Sequence, residues 1–231
     1  MKTVAIMQPT YLPWIGYFDL IDQTDVFVFL DSVQFDKRSW QQRNRIKTSN
    51  GELTLTVPVL SKGKREQRIC EVEFDPTQNF REKHLRAIEH NYSKASHFQQ
   101  YINGFSKLYA QDYKNLAHLN ITLIKWFTQK LGLQVEFSHS SSLKTSGKKV
   151  ELLVDICKKL NADHYLSPLG SKEYIEENNL FSNNGINLSY QNFKHPQYNQ
   201  LWGEFIPYLS IIDLFFNEGE KSLNIIRNGR Y

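Results

Sequence analysis

The stretch Gln8-Pro-Thr-Tyr-Leu-Pro-Trp-Ile-Gly-Tyr-Phe18 constrains this chain more than any other, because a short apolar strand (Thr3 to Met7) runs into it and an amphipathic helix (Ile15 to Ile21) leaves it. A strand feeding a helix through a turn with Pro and Gly sets backbone N–H groups and polar side chains at the carboxyl end of a parallel sheet. That edge is where α/β proteins place ligands. A second apolar run, Asp25-Val-Phe-Val-Phe-Leu-Asp31, follows and ends on a carboxylate.

Next comes Asp36-Lys-Arg-Ser-Trp-Gln-Gln-Arg-Asn-Arg-Ile-Lys47, with five cationic side chains. A Lys/Arg-rich segment is more often a solvated face than a binding site. Trp40 with Gln41, Gln42 and Asn44 tilts the reading toward an anion-holding segment, since a purely solvating face rarely carries a Trp.

Lys and Arg number 28 against 24 Asp and Glu, a net charge of +4 that favours anionic ligands only mildly. The excess is spread along the chain apart from residues 37 to 47, so a small phosphate-bearing ligand fits better than a nucleic acid. With 23% charged and 40% hydrophobic residues in 231, the chain is an ordinary globular one, read as a single domain over residues 1 to 231. Cys70 and Cys157 lie in separate elements, and the start reads as a strand rather than a secretory signal. No apolar stretch reaches the roughly 20 residues of a membrane helix. The expectation is a cytosolic protein with reduced thiols and no membrane insertion, whose oligomeric state is left open.

Alternating residues in Glu52 to Val59 and Arg68 to Phe74, with a Gly-containing loop between, predict a β-hairpin. Residues 80 to 131 carry helical spacing, broken near Ser93 to Ser96 and Ala110 to Tyr113. His84 and His90 are not spaced as a metal pair on one helix face, so the histidines of this region are read as core-capping or solvent-facing. Strands follow at Gln134 to His139 and His164 to Ser167, with a helix from Lys148 to Leu160 capped by Ser146 between them. Ser167-Pro-Leu-Gly-Ser-Lys172 then repeats the strand-to-helix turn, which brings Ser171 and Lys172 to the edge that holds Gln8 and Thr10. Phe205 to Asn217 reads as a helix with Leu209, Ile212, Phe215 and Phe216 inward and Ser210 and Asp213 on another face. The fold class is therefore α/β: a mainly parallel central sheet with helices on both faces, a β-hairpin insertion and a helical middle segment.

Met7 to Phe18, Val28-Phe-Leu-Asp31, Gln34-Phe35, Lys37 to Arg45, and the tail His195-Pro, Gln200 and Pro207-Tyr-Leu-Ser-Ile-Ile-Asp-Leu-Phe-Phe-Asn217 together resemble the WbqC-like family, from the first strand to the last helix. Members occur among bacterial genes for O-antigen, the lipopolysaccharide side chain, and related surface polysaccharides. The resemblance implies a step in making or decorating a sugar building block, with glycine transfer to a nucleotide-linked amino sugar as one such reaction. A weaker likeness, in the order strand, turn, x-x-Gly-x helix, strand, Gln-Phe, is to the nucleotidylyltransferase superfamily and pantothenate synthetase, whose His-x-Gly-His turn binds ATP phosphates. It implies ATP as cofactor and brings in Gln34. Trp14 and Tyr17 stand where those histidines would be, which leaves ATP use open.

Two functions are thus carried forward, an acyl-transferring enzyme and a non-catalytic nucleotide-sugar-binding or scaffold protein. Asp31 and His195 are the candidate proton acceptors for catalysis. Gln8, Thr10, Tyr17, Gln34, Lys37, Arg38, Arg43, Arg45, Ser171 and Lys172 are the candidate substrate-binding residues.

Overall fold

Near-continuous apolar strands need cover on both sides, and the chain supplies it. The computed structural model describes residues 1–172, 175 and 179–231. Five strands, β1 (Thr3–Met7), β2 (Val26–Phe29), β5 (Glu136–His139), β6 (His164–Ser167) and β7 (Asn187–Tyr190), form one parallel sheet in the order β5-β2-β1-β6-β7. From β1 the chain builds outward through β2 to β5, then returns to the other side of β1 for β6 and β7. The strand order reverses between β1 and β6, and such a switch point opens a crevice at the carboxyl ends of its two strands.

Alternation along β1 and β2 divides the core. Ala5, Phe27 and Phe29 face α1 (Ile15–Asp22) and the helices α2 (Phe80–Tyr92), α3 (Phe98–Tyr109) and α4 (Leu116–Lys130). Val4, Ile6, Val26 and Val28 face the opposite layer, where α5 (Val150–Lys159) presents Val150, Leu153, Val154 and Cys157. The short α6 (Leu180–Asn183) lies in that layer through Phe181, whereas α7 (Ile211–Glu218) and α8 (Ser222–Arg227) join the first through Ile212, Phe215 and Ile226. No helix among the described residues is long and apolar enough to cross a membrane.

The helical middle segment breaks where expected, and Asn side chains mark two of its starts. Asn79 Oδ1 accepts from the Glu82 N–H, and Asn115 Oδ1 from that of His118, each satisfying an otherwise orphan amide.

The hairpin is displaced from its expected place. The basic segment itself is strand β3 (Arg43–Thr48), paired antiparallel with β4 (Gly51–Thr56) across Ser49-Asn50. Asn50-Gly51 is the decisive local signal, with Gly51 at φ +103°. Residues 68 to 74 contribute only a 3₁₀ turn at Ile69–Glu71 and an isolated Val59–Phe74 bridge. Ser146 does not cap α5; its N–H donates to the Asp155 carboxylate (2.8 Å), and Lys149 stands at the cap position. The last long helix starts only at Ile211, after Ser210, whose hydroxyl accepts from the Ile212 N–H. Asp213 and Ser210, placed on another face than the apolar residues, are fully buried as well. The helix expected after Ser171 and Lys172 falls partly on residues 173, 174 and 176–178, outside the described residues.

Candidate functional site

Beyond Met7 the chain crosses the sheet edge as residues 8–14, and amides lock it there. Asn44 Nδ2 donates to the carbonyls of Tyr11 (3.2 Å) and Leu12 (2.7 Å), while Asn120 Nδ2 donates to those of Pro9 (3.1 Å) and Gln41 (2.7 Å). The Tyr11 N–H donates to the Trp40 carbonyl (2.9 Å), and Gln41 Nε2 donates to Gln8 Oε1 (2.8 Å). The loop after β1 and the segment after β2 thus form one rigid rim. Gln41, Gln42 and Asn44 are buried and hold the rim from within.

A further pin lies beneath Tyr11. Its hydroxyl is 2.8 Å from His84 Nδ1, and the Tyr109 hydroxyl is 2.9 Å from the same nitrogen. Burial pushes His84 down to about 4 despite a hydrogen bond to the Thr56 backbone, so it stays neutral at pH 7. Its folded pKa lies below the unfolded value near 6.5, so the unfolded chain takes the proton first as pH falls, and stability is lost between about 6.5 and 4. The stability advantage of wild type over His84→Leu should therefore shrink by about 2 kcal/mol between pH 7.5 and pH 5 in urea titrations. An unchanged difference would mean that His84 is not neutral in the fold.

Two adjoining hollows open on this rim. The first, about 300 Å³, is lined by Met7, Thr10, Pro13, Trp14, Tyr17, Trp40, Asn44, Arg45 and Tyr208. The second, about 290 Å³, lies at the switch point and is lined by Gln8, Thr10, Leu30, Ser39, Trp40, Gln41, Pro168 and Ser171 with apolar residues of β1, α5 and β6. Met7, Thr10 and Trp40 line both, and the Trp40 side of the divide is half exposed to solvent.

Aromatic contacts build the wall of the first hollow. Trp14 folds back over Gly16, where a Cβ would meet the indole at 2.1 Å, so any larger residue at 16 would displace the indole. The indole packs against Tyr208 (5.4 Å) and Phe193 (5.6 Å) and stacks on His195 (6.1 Å).

The structure brings Gln8, Thr10, Tyr17, Arg45 and Ser171 to the two hollows and leaves other candidates outside their linings. Tyr17 is buried and donates to the Gln8 carbonyl (3.1 Å). Arg45 lies over the Trp40 ring (5.4 Å) with its charge matched by Glu52 (2.8 Å). Arg43, half buried, and the exposed Lys37 and Arg38 belong to the Trp40 segment and have no carboxylate partner among the described residues. Gln34 is exposed and donates to the Arg65 carbonyl (2.7 Å), and Lys172 is exposed with its ammonium 5.7 Å from the Tyr190 ring.

His195 sits behind Trp14. Its Nδ1 bonds to the Pro196 carbonyl (2.9 Å), its Nε2 is buried with no partner among the described residues, and burial lowers its pKa. Asp31 is buried at the end of β2 and is hydrogen-bonded by Ser140 and Ser141.

One polar cluster escaped sequence reasoning altogether. Lys47 is only 2% exposed, and its ammonium donates to Gln200 Oε1 (2.9 Å) and the Glu204 carbonyl. Asp213 accepts from the hydroxyls of Tyr92 (2.8 Å) and Tyr198 (2.9 Å), and burial raises it to about 6. Tyr198 in turn stacks on His195, so the cluster anchors the aromatic wall from below. The only signal was Lys47 at an inward position of an alternating strand, legible only once β3 is placed.

Among the described residues, no group of three His, Cys, Asp or Glu side chains could hold a metal ion. The model of the WbqC-like protein family matches residues 8–225. An uncharacterized protein of Mycobacterium tuberculosis is 38% identical over 229 residues, covering 98% of both chains. No solved structure matches the chain.

Proposed function

The chain belongs to the WbqC-like protein family, and from that premise we propose that its switch-point cleft binds a nucleotide-linked amino sugar in the making of O-antigen or a related surface polysaccharide. The observation that carries this reading is Trp40, an indole 51% exposed that adjoins an aromatic hollow on one side and a hollow of amides and hydroxyls on the other. A large exposed aromatic between two concavities is what a stacking ring needs, with polar groups beside it for orientation. Sugar hydroxyls and phosphate oxygens meet the side of Gln8, Thr10 and Ser39, which Gln41 braces through Gln8. Arg43, Lys37 and Arg38 supply positive charge from the same segment, Arg favouring bidentate contact with phosphate.

The reaction that fits such a ligand is transfer of glycine or another small acyl group to the sugar amine, with ATP as the source of activation. Acyl transfer needs a proton acceptor and stabilisation of developing negative charge. The alternative, a binding or scaffold protein of the same pathway, is favoured by one observation: among the described residues, neither hollow is lined by a histidine or a carboxylate.

Thermal-shift titration with UDP- and dTDP-linked amino sugars tests the binding. A ligand at about 100 times its Kd stabilises by about 2.7 kcal/mol, a rise of roughly 5 to 10 °C for a chain of this size. Mass spectrometry of the bound sugar after incubation with glycine and ATP then separates the readings, because an acylated sugar marks the enzyme and an unmodified one the binder. No shift with any nucleotide sugar would remove both.

A further inference from the structure

The ends of β2 and β5 share the carboxyl edge of the sheet with the cleft and carry a cluster that the ligand reading does not use. Asp31 Oδ1 accepts from Ser140 Oγ (3.0 Å) and the Ser141 N–H (2.9 Å), and Oδ2 accepts from Ser141 Oγ (2.8 Å). His139 Nδ1 stands 3.5 Å from Oδ2. Burial alone would raise this carboxyl, but the contacts from His139, Ser141 and Ser140 outweigh it and hold the group below its ordinary range. A carboxylate that stays ionised with its lone pairs committed accepts protons poorly and anchors donors well.

His139, the last residue of β5, is the donor so anchored, and its side chain is about one third exposed. With Nδ1 turned to Asp31, the ring proton belongs on Nδ1 and the lone pair on Nε2, the arrangement by which a buried carboxylate prepares an imidazole to accept a proton. The long Nδ1 to Oδ2 separation is usual for such pairs before a ligand is bound. The imidazole packs on Phe29 (5.5 Å), the same ring that has the Lys125 ammonium 5.8 Å from its centre. Leu30, one residue before Asp31, lines the second hollow on the α5 side of the sheet, whereas His139 pairs with Phe29 on the α4 side, so a ligand reaching the cluster from that hollow crosses the carboxyl end of β2.

We propose that His139 is the proton acceptor of this sheet edge and that Asp31 is its positioning residue. A ligand ammonium reaching from the second hollow across the end of β2 gives its proton to Nε2. The ligand N–H bond breaks, the Nε2–H bond forms, and the imidazolium charge is balanced by the Asp31 carboxylate. The freed amine is the nucleophile that acylation of an amino sugar requires, and in this the proposal rests on the reading of the cleft given above.

Heteronuclear NMR of the full chain, with His139→Gln to assign the signal, should show His139 as the Nδ1–H tautomer, and Asp31→Asn should raise the Nε2–H share. Diethylpyrocarbonate should modify His139 in wild type. A nucleotide-linked amino sugar that raises the melting temperature should slow that modification about tenfold or more at about ten times its Kd. An Nε2–H tautomer in wild type overturns the proposal, and so does an unchanged modification rate under a ligand shown to bind. If no nucleotide sugar binds, the cleft reading fails by itself, and the tautomer alone then decides for or against His139 as acceptor.

Discussion

Lys47→Met should cost about 1.5 to 3 kcal/mol of stability, because it removes a charged donor from buried acceptors and the cation that helps hold Asp213 down, leaving that carboxylate to the Tyr92 and Tyr198 hydroxyls. Lys47 and Asp213 are 2% and 0% exposed, so solvent cannot take over for either. The Glu204 carbonyl also loses its donor, whereas Gln200 Oε1 keeps the Ile206 N–H. The pH dependence identifies the cause. Asp213 has a folded pKa of about 6, raised by burial above its unfolded value of 3.8, so the folded chain holds the extra proton and stability from this group falls as pH rises between those values. Without Lys47 the folded value climbs further and the loss extends to higher pH. The difference between wild type and Lys47→Met in urea titrations should therefore be larger near pH 8 than near pH 5.5, and Asp213→Asn in the Lys47→Met background should recover part of it. A difference below about 1 kcal/mol with no pH dependence would show that the cluster is not a charge-balanced one.

Apolar periodicity made the sheet legible: Thr3–Met7 and His164–Ser167 stand where alternation and turn residues put them, and the middle helices break at the expected places. The edge strand Asn187–Tyr190 was not legible, because one exposed and three half-buried residues paired on one side carry too weak a pattern. The hairpin was misplaced because polar alternation over 52 to 74 competed with the shorter Asn50-Gly51 turn, and turn geometry decides register.

The site was legible at its first turn and less so beyond it. Gln8, Thr10 and Tyr17 follow directly from a strand running into a helix, and the structure lines the hollows with them. Gln41 and Asn44 belong to the segment that the sequence marks as anion-holding, yet both brace backbone carbonyls or neighbouring side chains, a use that depends on which loop crosses above them. Lys47 and Asp213 were read as parts of a basic segment and a helix face. Their burial arises from contacts between residues more than a hundred positions apart, which no local pattern encodes.

Isothermal titration of the best nucleotide sugar into wild type, Trp40→Ala, Arg43→Ala and the exposed control Lys83→Ala tests the central claim most directly. Trp40 lines both hollows, and its carbonyl bond to Tyr11 is unaffected by truncation of the side chain, so the substitution removes a stacking surface without unmaking the rim. Stacking of a base on an aromatic contributes about 1 to 3 kcal/mol, and a hydrogen bond to a charged group about 1.5 to 3 kcal/mol. The account predicts affinity weakened about tenfold or more in both Trp40→Ala and Arg43→Ala, with Lys83→Ala indistinguishable from wild type. Equal affinities across all four proteins would place the ligand elsewhere and contradict the switch-point cleft as its site.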